Sequence, residues 1–409
     1  MHPARVATLV LVGGDGAVAG ALPPFEVDTP WWQEVELVVR GARERHGVDV
    51  TVLRILASEL PRPPGGSVTY LAEVAGPVRA APWDGALDDH PLRLPWARPG
   101  GPARDLAWAG SILAERGLRS AGPGQQIRSW NLSSIWRLPV EGQTVWGRAM
   151  WLKAVPPFFG HEGPMLERLQ GGPVPTLLAH DGGRLLLADI PGEDLYTASG
   201  PALLDMVTLL VNLQRAWIDR SDELLALGLP DWRAPILGRA IASVVERTAG
   251  ELAPGERAAL AGFVAGLDER LAAVAACGVP DTLVHGDFYP GNLRGPANLR
   301  GGASPLVLLD WGDCGVGHPL LDQSAFLGRI APEEVPAVAA HWHRAWRAAA
   351  PGSDPDRASR LLEPVGAARG AVCYRAFLDG IEPSEHPYHR DDPAACLRRA
   401  AALVAAERP

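Results

Sequence analysis

At 409 residues the chain is long for one domain and has room for two or three units, each with its own core. Apolar residues at 47% against 21% charged exclude a disordered chain, and a formal net charge of −9 with no Lys/Arg run argues against a nucleic-acid partner. Cys277, Cys314, Cys373 and Cys396 are scattered without a C-x-x-C pair, so neither a disulfide framework nor a zinc site is indicated; no apolar run reaches membrane-spanning length without charge, Gly or Pro, and the expected location is the cytoplasm.

Residues 1–95 read as a small α/β unit. Arg5 to Val12 is an apolar strand closed by Gly13-Gly14-Asp15-Gly16. A helix is expected from Thr29 as N-cap, with Pro30 at its first position, to Gly47; Trp31, Val35, Val38 and Ala42 share one face. Val48, Val50 and Val52 alternate as a strand, and Val68 to Val74 makes another. Pro91 to Pro102 reads as a linker, and Asp105 to Arg116 as a bridging helix, so that residues 96–122 join the first unit to the rest.

From Gln125 to Asp189 the pattern is strand-rich. Met150 to Val155 contains Lys153, the sole lysine of the chain; every other basic residue is Arg. A chain so depleted of lysine keeps one where a planar guanidinium fork fails, as at a compact phosphate-contacting ammonium. Helices follow, at about 200–219, 232–249 and 256–276, with Leu203, Met206, Leu210 and Trp217 at core spacing.

The most informative stretch runs from Thr282 to Asp322. Two short apolar runs, Thr282–Val284 and Leu306–Leu309, each deliver a carboxylate just past their end, Asp287 and Asp310, with a variable tongue between them. Asn292 follows Asp287 by five residues, the spacing of an Asp-x-x-x-x-Asn catalytic loop, and Asp310-Trp311-Gly312 stands where a kinase carries Asp-Phe-Gly. Two Asp and an Asn suit phosphoryl transfer, which needs an acid to take or orient a hydroxyl proton and oxygen ligands for Mg²⁺.

His285-Gly286-Asp287-Phe288-Tyr289-Pro290-Gly291-Asn292 with Leu309-Asp310-Trp311-Gly312 resembles the aminoglycoside phosphotransferase and choline kinase group, across roughly residues 123–400. The resemblance implies an α+β, bilobal protein-kinase-like fold behind the small N-terminal domain. Its strand-rich lobe would be residues 123–192 and its helical lobe 193–409. It implies ATP and Mg²⁺ as cofactors and a small-molecule hydroxyl as acceptor, of the sugar, amino-sugar or aminoglycoside kind. Asp287 would be the catalytic acid group and Asn292 and Asp310 the metal ligands. Lys153 would hold the nucleotide phosphates, oriented by Glu162, with Glu167 as its rival. Adenine would meet the hinge backbone around Asp189 and Ile190. His285 and Asp322 would support the loop. Asp379, Glu382 and Glu385, in the loop after the last long helix, would receive acceptor ammonium groups.

Two departures stand beside the resemblance. Ile127 to Trp136 occupies the place of the glycine-rich phosphate loop without a glycine, leaving Ser133, Ser134 and backbone amides for the phosphates. Arg40, Glu44, Gly47 and Val48 faintly resemble the Nudix hydrolase helix, yet Gly41, Arg45 and Trp32 stand where its other acids belong, which predicts a non-hydrolytic cap. The alternative to a kinase is an inert pseudokinase scaffold with a binding cap, against which the complete set of Lys153, Asp287, Asn292 and Asp310 speaks.

Overall fold

The computed structural model describes residues 4–296 and 306–407, and part of the tongue between Asn292 and Leu306 lies outside them. The chain divides into two compact units. The first holds Met1–Gly163, Leu177–Asp189 and Phe377–Arg390; the second holds Pro164–Thr176, Ile190–Ala376 and Asp391–Pro409.

The first unit contains two sheets. Strands β1 (Arg5–Val12), β2 (Val18–Val27), β3 (Thr51–Ser58) and β4 (Gly66–Glu73) form one of them in the order β2-β1-β4-β3, with β1 and β4 parallel and the other pairs antiparallel. Central β1 is apolar on both faces: Ala7, Leu9 and Leu11 pack with Val35, Val38 and Ala42, while Val10 and Val12 pack with Leu53 and Leu71. Strand β2 escapes sequence reading because it contains Pro23 and Pro24, which a sheet accepts at an edge, where their missing N–H groups cost no ladder bond.

Helix α1 runs over Glu36–His46, six residues short of the expected start. The reason is Arg5, whose fully buried guanidinium donates to the carbonyls of Trp31, Trp32 and Glu34 and so fixes that stretch as a turn. Trp32, not Trp31, is the buried indole.

The second sheet of this unit is antiparallel, β5 (Gln125–Ser129), β6 (Ser134–Thr144), β7 (Gly147–Ala154), β8 (Leu177–Asp181) and β9 (Arg184–Ala188), in the order β5-β6-β7-β9-β8. Helix α2 (Gly101–Glu115) covers it with Ala109 and Leu113, and α3 (Glu162–Arg168) begins in this unit. The two sheets are stitched together rather than linked. The Gln126 side chain donates to Val52 O at 2.7 Å and accepts from Val52 N at 2.8 Å, and Val35 N donates to Ile127 O at 3.1 Å. The expected linker is packed too, with Leu94, Trp96 and Ala97 buried.

The second unit is helical. Its helices are α4 (Pro201–Arg215), α5 (Ser221–Ala226), α6 (Ile236–Thr248), α7 (Pro254–Ala265), α8 (Leu267–Ala275), α9 (Leu321–Leu327), α10 (Val335–Ala349), most of α11 (Pro355–Gly380) and α12 (Asp392–Ala406). Strands β10 (Glu193–Asp194), β12 (Leu293–Gly295) and β13 (Val307–Leu308) pair in the order β10-β12-β13, and β11 (Thr282–Val284) pairs with β14 (Gly315–Gly317). These short ladders hold the Thr282–Asp322 stretch against the helices, through contacts of β11 with α4 and of β14 with α5. The fold is α+β and protein-kinase-like, a strand-rich part followed by a helical one. Among the described residues no helix is long and apolar enough to cross a membrane.

Candidate active site

The loop after β11 is held from beneath by one carboxylate. Asp322, fully buried on α9, accepts from His285 N at 2.9 Å, Gly286 N at 2.7 Å and Gln214 Nε2 at 3.0 Å. Burial raises its pKa, and the two loop amides work against that rise by favouring the charged form. Gly286 sits at φ 91°, and a Cβ there would come within 2.0 Å of the Asp313 carbonyl oxygen, so both conformation and space require glycine.

His285 is fully buried and its Nε2 lies 2.8 Å from Leu309 O, with its ring edge-on to Trp311 at 4.7 Å. A carbonyl oxygen only accepts, so Nε2–H donates to it, and the ring is occupied with bracing the approach to Asp310. Leu309 N donates to Asn292 O at 2.7 Å, tying both carboxylate-bearing segments together. Asp310 itself is exposed and adopts φ 60°, ψ 70°, a left-handed conformation that costs a non-glycine residue about 1–3 kcal/mol and persists where the surroundings impose it.

Asp287 is 31% exposed. Its Oδ2 accepts from Asn292 Nδ2 at 3.0 Å, and the same amide nitrogen donates to Asp287 O at 2.8 Å. With its nitrogen committed, the 8%-exposed Asn292 has Oδ1 as its remaining side-chain donor atom, a hard oxygen of the kind that could take Mg²⁺, as could the carboxylate of Asp310. Among the described residues no group of three or more His, Cys, Asp or Glu is arranged to hold a metal alone.

Sequence reading missed one neighbour. Arg329, two residues beyond α9, donates from Nη1 to Asp287 Oδ1 at 2.6 Å, and its guanidinium lies 4.2 Å over the Tyr289 ring. Nothing in Leu327-Gly328-Arg329-Ile330 marks this arginine; only the path of the chain after α9 brings it to the loop.

In the first unit, Lys153 on β7 donates from Nζ to Glu162 Oε1 at 2.7 Å. The pair is largely buried, at 13% and 2% side-chain exposure, whereas Glu167 is exposed. Such a contact fixes the ammonium in one place. The tip between β5 and β6 is closed: Ser133 Oγ accepts from Trp130 Nε1 at 3.0 Å, Ser134 Oγ from Trp136 Nε1 at 3.2 Å, and Asn131 Nδ2 donates to Glu385 O at 3.3 Å. The division between units falls between Asp189 and Ile190. Asp189 Oδ1 accepts from Trp151 Nε1 at 2.8 Å, and Ile190 O, in the second unit, accepts from Arg294 Nε at 2.8 Å.

Of the three acids Asp379, Glu382 and Glu385, only Asp379, in the last turn of α11, is exposed. Glu382 and Glu385 are each 4% exposed within the first unit. Glu382 accepts a bidentate pair from Arg93, at 2.8 Å for Nη2, with Arg54 at 3.9 Å, and Glu385 Oε1 accepts from Ile55 N at 3.1 Å. The expectation that these two receive acceptor ammonium groups is corrected accordingly: both are buried, Glu382 against Arg93 and Glu385 against the backbone of β3. On α1, Glu44 is exposed, and among the described residues no group of three or more His, Cys, Asp or Glu could hold a metal there.

The loop, its brace and the lysine–glutamate pair define the class as a phosphotransferase on a kinase-like fold. The family model described as "Phosphotransferase enzyme family" matches residues 148–360, more than half of the chain, and the chain belongs to that family. No curated protein sequence matches it. Among solved structures it is similar to a choline kinase from Cryptosporidium parvum Iowa II, at 10% identity over 75% of this chain and 96% of that one, with a TM-score of 0.53. Also similar are a choline/ethanolamine kinase family protein from Mesorhizobium loti (14%, 73% and 98%, TM-score 0.48) and a macrolide 2′-phosphotransferase from Brachybacterium faecium (16%, 69% and 97%, TM-score 0.46). At 10% identity the likeness to the choline kinase speaks for the fold alone.

Proposed function

We propose that the protein transfers the γ-phosphoryl group of ATP, with Mg²⁺, to a hydroxyl of a small polar acceptor of the sugar or amino-sugar kind, in the cytoplasm. The observation that carries this reading is the arrangement around Asp287: a half-exposed carboxylate whose loop is held by Asp322 from below and whose neighbour Asn292 turns its amide nitrogen inward. Asn292 Oδ1 and the Asp310 carboxylate would hold Mg²⁺, which when bound neutralises charge on the phosphate oxygens. The acceptor oxygen forms a bond to the γ-phosphorus, the bond to the β-bridging oxygen breaks, ADP leaves, and Asp287 takes the hydroxyl proton. Lys153, oriented by Glu162, holds the phosphates. Backbone at Asp189 and Ile190 would meet adenine. The hydroxyls of Ser133 and Ser134, already engaged by indoles, contribute little.

Thermal denaturation with ATP and Mg²⁺ tests the nucleotide half of this reading. Stabilisation that rises with nucleotide and needs the metal is expected; a melting curve indifferent to both would overturn it.

A further inference from the structure

Arg329 changes the charge that an acceptor meets. Its contact of 2.6 Å with Asp287 Oδ1 places a permanent cation against the carboxylate that takes the hydroxyl proton. Asp287 exerts the largest charge effect on Arg329, through both its field and its hydrogen bond. The guanidinium therefore offsets the charge of the base, and an ammonium group approaching Asp287 meets a cation already seated on it. The guanidinium is stacked on Tyr289, whose ring meets that of the 62%-exposed Tyr196, and the Arg329 side chain is 42% exposed. Stacking holds the planar fork in one orientation; among the described residues only Asp287 accepts from it, so most of its N–H groups are left for a second oxyanion.

We propose that the acceptor bears an oxyanion, a carboxylate or a phosphate, close to the hydroxyl that is phosphorylated, and that Arg329 receives it. Arg329 is then the specificity-determining residue, bridging Asp287 and the acceptor's acid group, and polycationic acceptors are selected against. The inference rests on the phosphoryl-transfer reading and narrows its acceptor class.

The test uses the full chain and four sugar probes of one ring size and different charge: glucuronate, glucose 6-phosphate, glucose and glucosamine. ADP release at saturating MgATP and binding by calorimetry in the presence of MgADP are both measured. An acidic probe is expected to exceed glucose and glucosamine by about tenfold or more, the worth of one charge-assisted hydrogen bond. Glucuronate alone marks a carboxylate, glucose 6-phosphate alone a phosphate. Arg329→Gln is expected to remove the preference through KM, and Arg329→Lys to restore part of it, with melting curves confirming that both variants fold. Preference for glucosamine, equal responses, no binding of any probe, or a preference that survives Arg329→Gln each overturns the proposal. MgADP binding separates the two levels: its absence defeats the kinase reading itself, while its presence without charge discrimination defeats this inference alone.

Discussion

The tip Trp130–Ser133 in the first unit and the loop His285–Asn292 in the second are both short turns beside strands, yet their polar atoms are deployed in opposite ways. In the tip the hydroxyl of Ser133 and the amide of Asn131 are spent on the Trp130 indole and the Glu385 carbonyl, and the turn is sealed. In the loop the scaffolding is done from below by Asp322 and His285, which leaves Asp287 facing outward. A turn can keep its carboxylate at the surface, paired with the side chains of Asn292 and Arg329, when other residues satisfy its backbone.

Breaking that support is the sharpest way to test the contrast. Asp322→Ala leaves the N–H groups of His285 and Gly286 and the Gln214 amide without their acceptor, and the expected loss is about 3 kcal/mol or more of stability, together with turnover. Denaturant unfolding and ADP release measure the two losses, and a variant as stable and active as the parent would remove the brace from the account.

Acid separates the units next. Burial holds His318 in the second unit down to about 3, so the unfolded chain binds its proton first and stability is lost as pH falls below about 6.5. By pH 5 that loss is about 2 kcal/mol. Glu385 in the first unit is pushed by burial up to about 7 from 4.5; the folded state binds the extra proton, and its contribution falls as pH rises from 4.5 through 7. Hydrogen exchange between pH 7 and 5 should therefore show the second unit loosening and the first tightening around Glu385, and a uniform response would refute the assignment.

The smallest effect belongs to the tip. Ser133→Ala and Ser134→Ala should each cost about 1 kcal/mol through the unpaired indole N–H and leave nucleotide affinity unchanged. A clear rise in the nucleotide KM would show that these hydroxyls serve phosphates.

What the sequence made legible follows the same division. The Lys153–Glu162 contact and the Asp287–Asn292 spacing are readable because their chemistry demands particular side chains at set separations, and α1's buried face is readable from its period. The start of α1 was not, because it depends on Arg5, distant in sequence, capturing the carbonyls of Trp31, Trp32 and Glu34. Edge strand β2 was hidden by Pro23 and Pro24, and the fate of Glu382 by Arg93, nearly three hundred residues earlier in the chain. Arg329 carries no local signal; its meaning comes entirely from where α9 ends.

Turnover of Asp287→Asn at saturating MgATP bears most directly on the central claim that this carboxylate takes the acceptor's proton. The account predicts a loss of about 10²- to 10⁴-fold with nucleotide binding intact. Phosphorylation at the parental rate by this variant would contradict it.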